Sequence, residues 1–116
     1  MQAFTVPMYA HSFGGASVSI DLGFPRPFLA WATVTMIDPQ SSFNKDNAVV
    51  ADIYEVDGVR LPSRVNGGDH WGSPDNASNV YPGAFAGFGQ RIDIYLRAVN
   101  IGDLEAYGEA VALTLD

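Results

Sequence analysis

The chain has 116 residues, of which 47% are hydrophobic and 16% charged, and it carries a formal net charge of −7. This length fits a single domain, 1–116, and the composition is too apolar for a disordered chain. The absence of cysteine excludes a disulfide framework, a thiolate metal site and a cysteine nucleophile, and the acidic balance argues against nucleic acid as a partner.

The N-terminal residues contain neither a basic segment nor a long apolar run. We therefore expect no secretory signal, no membrane span and no membrane partner. A cytoplasmic protein fits this expectation, and so does a virion protein that is assembled in the host cytoplasm.

Two strands are predicted around a proline-rich corner. Residues 16–22 alternate between apolar and polar side chains, which is typical of a half-buried strand. The Gly-Phe-Pro-Arg-Pro run 23–27 predicts a break, because proline cannot donate to a β-ladder. The next strand, 29–37, places Trp31 opposite the core, either exposed or in an interface.

A hairpin is predicted in the middle of the chain. Residues 48–56 form one strand, and Asp57-Gly58 favours a type I′ turn because glycine accepts a positive φ without steric cost. We expect Pro62 to end the return strand.

The second half begins with irregular structure and ends with strands. Residues 64–79 have almost no aliphatic side chains and predict a long loop, followed by a short strand at 80–81. We expect the glycine-rich stretch 83–89 to be irregular, and strands at 90–101 and 106–115.

No segment shows a 3.6-residue apolar stripe long enough for an amphipathic helix. Glycine (12) and proline (7) are spread between short apolar runs, which indicates many turns and many short strands. We therefore predict an all-β fold, an antiparallel β-sandwich of jelly-roll type with seven or eight short strands.

The polar segment 66–79 is the first candidate for a site, because loops of this length are uncommon unless they are functional. In one interpretation Trp71 stacks on a sugar while nearby polar groups form hydrogen bonds. In the other, Trp71 packs onto the body of the domain or onto a neighbouring subunit. The candidate ligand-binding residues are Asp69, His70, Trp71, Asp75 and Asn76.

We predict that the chain is not an enzyme. Asp69 and His70 are adjacent, and neighbours on an extended chain point to opposite faces. A nucleophile such as Ser73 would need its own geometry. With His11 as the other histidine, one chain cannot build a three-histidine zinc site. We expect no catalytic residue, metal or cofactor, and the acidic loops leave calcium undecided.

A second candidate site is an interface between subunits. Large aromatic side chains dominate the energetics of interfaces, and the small face of the closing strand would let another sheet or subunit approach. The candidate interface residues are Trp31, Phe85, Phe88, Ala106, Gly108 and Ala110, with Trp71 as a further aromatic.

Two resemblances accompany these patterns. The run 18–28, followed by a strand to residue 37, is similar to the opening of H-type-lectin-like sandwiches, where a strand ends in a Pro-Phe corner. The closing strand 106–115 lacks the tryptophan of those lectins, so none of their sugar-binding residues is carried over. The whole profile, which is small, all-β, acidic, lysine-poor and cysteine-free, resembles small virion proteins of tailed bacteriophages, such as head-decoration or tail and fibre modules.

The resulting hypothesis is a non-enzymatic structural or assembly module, a homo-oligomeric virion component that contacts other virion proteins. The alternative is a carbohydrate-binding, lectin-like module that uses the 66–79 loop and takes a glycan as its partner.

Overall fold

In a computed structural model, the described residues are 1–11, 15–37, 48–70, 83–99 and 105–116, with side chains described for 1–11, 15–34, 50–62, 83–96 and 105–116. These residues form six strands, β1 (Ala3–His11), β2 (Gly15–Ile37), β3 (Ala48–Val56), β4 (Val59–His70), β5 (Ala84–Val99) and β6 (Glu105–Thr114). All paired strands are antiparallel and belong to one sheet of order β1-β6-β2-β5-β3-β4.

The sheet confirms the prediction of an all-β antiparallel fold. The described residues differ from the predicted sandwich in two respects: they form six strands rather than seven or eight, and one sheet rather than two. The main reason is that β2 and β5 are continuous where the sequence pattern predicts breaks.

One face of the sheet supplies the core. Burial alternates along β1 and β6, as expected for strands with one buried face. Residues from β1, β2, β3, β5 and β6 meet in a single hydrophobic cluster, so the sheet curls around its own inner face. The buried apolar residues are Met8, Ala10, Ile20, Leu22, Phe28, Ala30, Ala32, Val34, Ala51, Ile53, Ile92, Ile94, Leu96, Ala106, Ala110 and Ala112.

The bend that allows this curl lies in the middle of β2. The pairing of β2 with β5 shifts register between Asp21 and Arg26, and Gly23 there adopts a φ of 89°. Extra residues on one strand of a pair bend it and increase its twist. The predicted corner at 23–27 is therefore a bulge within one long strand.

Three other local predictions were wrong. The stretch 83–89 is regular in β5, since Ala84 to Gly89 pair with β2. Pro62 does not end the return strand, because β4 continues to His70 and pairs with β3. Residues 64–70 of the predicted loop 64–79 are therefore part of this strand. The N-terminal strand β1 was not predicted at all, although it pairs with β6 along its whole length.

The hairpin between β3 and β4 was predicted correctly. β3 has the predicted bounds, and Asp57 and Gly58 have φ values of 52° and 78°. Positive φ at both central residues is what a type I′ turn requires.

Candidate interaction surface

The predicted ligand-binding residues lie at the end of β4 and beyond it. The backbones of Asp69 and His70 pair with those of Val49 and Ala48 in β3. Trp71, Asp75 and Asn76 lie outside the described residues, as does the short strand predicted at 80–81.

The predicted aromatic interface residues separate onto two faces of the sheet. Trp31 is half-buried on the outer face of β2, and Phe88 is 67% exposed on the outer face of β5. Phe85 instead packs against the core, with its ring centroid 5.8 Å from that of Phe28.

The small residues of β6 lie on the inner face. Ala106 and Ala110 have no exposed surface, and Gly108 lies where an added Cβ would be 2.5 Å from the carbonyl oxygen of Thr33. The small face of the closing strand thus allows neighbouring strands of the same chain to approach. Ala106 and Ala110 are buried by these strands, while Gly108 is half-buried.

Two aspartates hold the bend between β2 and β5. The Asp57 carboxylate accepts hydrogen bonds from the backbone N–H groups of Gln90 (3.1 Å) and Arg91 (2.8 Å). The Asp21 carboxylate accepts from the N–H of Gly23 (2.8 Å) and from the Gln90 side chain (3.2 Å). These hydrogen bonds, chiefly the one from Gly23, hold the pKa of Asp21 below its usual value.

The outer face on one side of this bend is polar. Ser17, Ser19 and Asp21 lie beside Tyr95, Asp93 and Arg91 in the β2–β5 ladder. Arg91 Nε donates to Asp93 at 3.0 Å, and the Ser19 hydroxyl also donates to Asp93. The buried carboxylate of Asp93 therefore accepts hydrogen bonds from both the Arg91 guanidinium and the Ser19 hydroxyl.

The outer face on the other side of the bend is apolar across four strands. Its rows follow the register: Leu29 lies between Ala86 and Leu113, and Trp31 lies between Ala84 and Val111. We define the apolar face by twelve outward positions: Met1, Ala3 and Thr5 of the β1 segment, Pro27, Leu29 and Trp31, Ala84, Ala86 and Phe88, and Val111, Leu113 and Leu115.

None of these twelve side chains is charged, and Thr5 is the one polar residue among them. Phe88 is 67% exposed and Leu115 49% exposed, while the central Leu29 and Leu113 are half-buried by their neighbours. Extended apolar patches on a soluble domain mark sites of interaction. The apolar face is therefore the best-defined candidate site among the described residues.

A tyrosine pair lies further along the outer face of β1 and β6. The rings of Tyr9 and Tyr107 are 5.1 Å apart, and both hydroxyls donate to the Glu105 carboxylate, at 3.5 Å and 2.8 Å respectively. Donation to that carboxylate raises the pKa of Tyr107, while desolvation is the main cause of the raised pKa of Tyr9. Glu109 and Thr33 separate this polar cluster from the apolar face.

Sequence reasoning identified Trp31 and Phe88 but missed the aliphatic residues around them. The signal was present in β6, where Val111, Leu113 and Leu115 alternate with small residues. The sequence interpretation assigned the small face of this strand to the approach of another sheet or subunit. The structure places that face inside, so the large side chains lie outside.

Comparisons with known proteins identify no family. No family model and no curated protein matches the chain. Among solved structures, the fold is similar to a chain of the VP2 subviral particle of infectious bursal disease virus, with a TM-score of 0.49 and 11% sequence identity. The match covers 96% of this chain and 32% of that one, so this chain spans about a third of the VP2 chain.

Two other kinds of site are absent from the part of the chain that the structure describes. It contains no helix that is long and apolar enough to cross a membrane. Within the same residues, no three His, Asp or Glu side chains gather in a group that could hold a metal ion.

Proposed function

We propose that this chain is a non-enzymatic structural or assembly module that forms homo-oligomers. The observation that carries the proposal is the twelve-position outer surface without a charged side chain, which contrasts with the charged network on the other side of the bend. A surface of this kind is stabilised when a partner removes it from water.

We propose further that the oligomer is a component of a virion, of the kind found in tailed bacteriophages. The sequence profile supports this part: the chain is short, acidic and cysteine-free, with one lysine, and its described residues are all-β.

Sedimentation velocity over a wide range of protein concentration tests the first part. We expect the sedimentation coefficient to rise with concentration as oligomers form. Virus particles purified from the source organism test the second part, and we expect the chain to remain with them through a density gradient. A strict monomer that is absent from particles would contradict both.

A glycan array separates this proposal from the carbohydrate-binding alternative. That alternative depends on the loop around Trp71, which lies outside the described residues. Glycan binding by the wild type that is lost in Trp71→Ala would favour a lectin, and we expect no glycan binding.

A further inference from the structure

We infer that the partner of the apolar face is a second copy of this chain, packed sheet against sheet rather than edge to edge. This inference rests on the proposed function and specifies the contact that the oligomer uses. It is argued from three features of the described residues: the charge on the outer face, the size of the apolar face and the two free edges of the sheet.

The charge distribution on the outer face favours a partner whose contacting surface is uncharged, as the side chains of the apolar face are. In a two-fold symmetric contact each residue meets the same patch on the other copy, so charged residues near the axis face like charges. The polar half of the outer face, with Asp21, Arg91 and Asp93, would bring such charges together. The side chains of the apolar face carry no charge, so they offer no charged group that could recognise a strongly charged partner.

The size of the apolar face matches the core of a protein interface. Four strands and three rows of side chains cover roughly 20 Å by 20 Å, or about 400 Å². A standard interface uses about 800 Å² of each partner and surrounds an apolar core with a polar rim. A rim about 5 Å wide, which is one side chain, would bring the contact to roughly 800–900 Å².

The residues that border the apolar face are exposed, as the rim of an interface is. Glu109 and Thr33 border the apolar face on one side and are exposed. Phe24, 53% exposed, borders it beyond Pro27 and stacks on the Arg26 guanidinium, which lies 4.4 Å from the ring centroid.

The free edge of β1 is poorly suited to pairing with another strand. The N–H of Thr114 donates to the carbonyl oxygen of Gln2 at 2.9 Å, and the β1–β6 register continues without a shift. Since hydrogen-bonded pairs alternate along an antiparallel ladder, the odd-numbered residues of β1 present their backbone to the free edge. Pro7 is one of them, so the middle of this edge lacks a donor.

The other edge strand, β4, is interrupted in a similar way. Its pairing with β3 shifts register between Ile53 and Glu55, and Pro62 lies in the corresponding part of β4. Prolines and bulges on edge strands are features that discourage edge-to-edge pairing. Because both edges are poorly suited to strand pairing, two copies pack through the apolar face instead.

The test compares the same change on the two halves of the outer face. Phe88→Glu and Leu113→Glu place a charge on the apolar face, and Ser17→Glu places it on the polar half. Sedimentation equilibrium should show dimerisation weakened at least about thirtyfold in the first two variants and within about threefold of wild type in the third. Because Phe88 is largely exposed, its replacement should leave folding intact, which circular dichroism checks.

Single-cysteine variants locate the contact independently, because the chain has no cysteine of its own. Ala86→Cys and Ser17→Cys are matched, since both replace small, exposed residues on the outer face. A short bis-maleimide linker, able to span the roughly 10 Å between packed sheets, should join two copies of the first variant covalently and leave the second without a cross-link. In a third variant, Pro7→Thr restores a donor to the β1 edge and should leave dimerisation unchanged.

Four outcomes would overturn the inference. An oligomer that survives Phe88→Glu and Leu113→Glu would show that the copies meet elsewhere, and the proposed function would stand. Tighter association in Pro7→Thr would point to edge pairing. A wild type that is monomeric at every concentration but binds particles would assign the apolar face to a different virion protein, whereas a monomer that binds nothing would remove the proposed function as well.

Discussion

Asp57 connects three strands through its backbone and its side chain. Its positive φ forms the turn between β3 and β4, its N–H donates to the carbonyl oxygen of Arg91 at 2.9 Å, and its carboxylate accepts from Gln90 and Arg91. Gln90 lies where the β2–β5 register shifts, so the carboxylate provides an acceptor at a point where the ladder is interrupted.

Replacing Asp57 should therefore destabilise the fold more than a surface substitution usually does. We expect Asp57→Ala to lower the free energy of unfolding by about 1–2 kcal/mol, because it removes an acceptor and makes the left-handed conformation unfavourable. Asp57→Asn should cost less, since asparagine tolerates that conformation and retains an amide oxygen. Urea denaturation measures both, and equal losses in the two variants would argue against this role.

Asp21 should make stability depend on pH. Because its pKa is lowered in the folded chain, its stabilising contribution is present above the usual carboxyl pKa of about 3.9 and is lost as the pH falls through the lower folded value. Asp21→Asn should thus reduce the urea midpoint at neutral pH, and the difference from wild type should shrink below about pH 3. Glu109→Gln, also on the outer face, is the control, and a difference that is independent of pH would contradict the assignment.

At the scale of the strand, β6 shows why small residues occupy the inner face. β6 lies between β1 and β2, and Gly108 approaches the Thr33 carbonyl oxygen and the side chains of Val34 and Met8. A backbone atom cannot move aside as a side chain can. Alanine and glycine on this face therefore let the three strands curl tightly around the core.

Gly108→Ala should consequently destabilise the chain by about 1–3 kcal/mol through overpacking. Gly15→Ala is the matched control in β2, because its Cβ would meet only the outer end of the Tyr95 side chain, which can rotate away. Thermal unfolding should show a clearly lower midpoint for the first variant than for the second. Similar midpoints would mean that β6 can shift to accommodate the methyl group.

Packing contacts also explain where the predicted and the observed strands differ. Local patterns identified β3, the turn at Asp57 and most of β6, because period-two alternation and an Asp-Gly pair act within a few residues. They missed the continuity of β5, where Gly87 and Gly89 serve packing rather than a turn: an added Cβ would meet the Phe85 ring or Val56. A glycine required by a distant contact looks the same in sequence as a glycine in a loop.

The apolar face was predictable only in part, because it depends on how distant segments of the chain align. The alternation around Trp31 places that side chain opposite the core, and the structure agrees. The joining of this strand to β6 and β5 depends on a register that the sequence does not encode locally. Leu29, Leu113 and Ala86 form one row only because three distant segments align.

At the scale of the whole molecule, the described charged side chains surround the apolar face: some lie beyond the bend in β2, and Glu109 lies at the border of the face. The chain carries a net charge of −7, to which the side chains of the apolar face contribute nothing, so these side chains gain nothing from charge pairing when two copies meet. The acidic remainder of each copy repels the other. Burial of apolar surface then favours association, and long-range electrostatics opposes it.

This balance predicts the effect of salt on self-association. Raising sodium chloride from low concentration to about 0.5 M shortens the Debye length to a few ångström and screens the repulsion between the acidic copies, so the dimer dissociation constant should fall severalfold. Sedimentation equilibrium at matched protein concentrations measures it. Ser17→Glu, which adds charge away from the contact, should show a somewhat larger salt effect. Association that weakens with salt would indicate instead that ion pairs, such as those available to Arg26 or Arg91, hold the copies together.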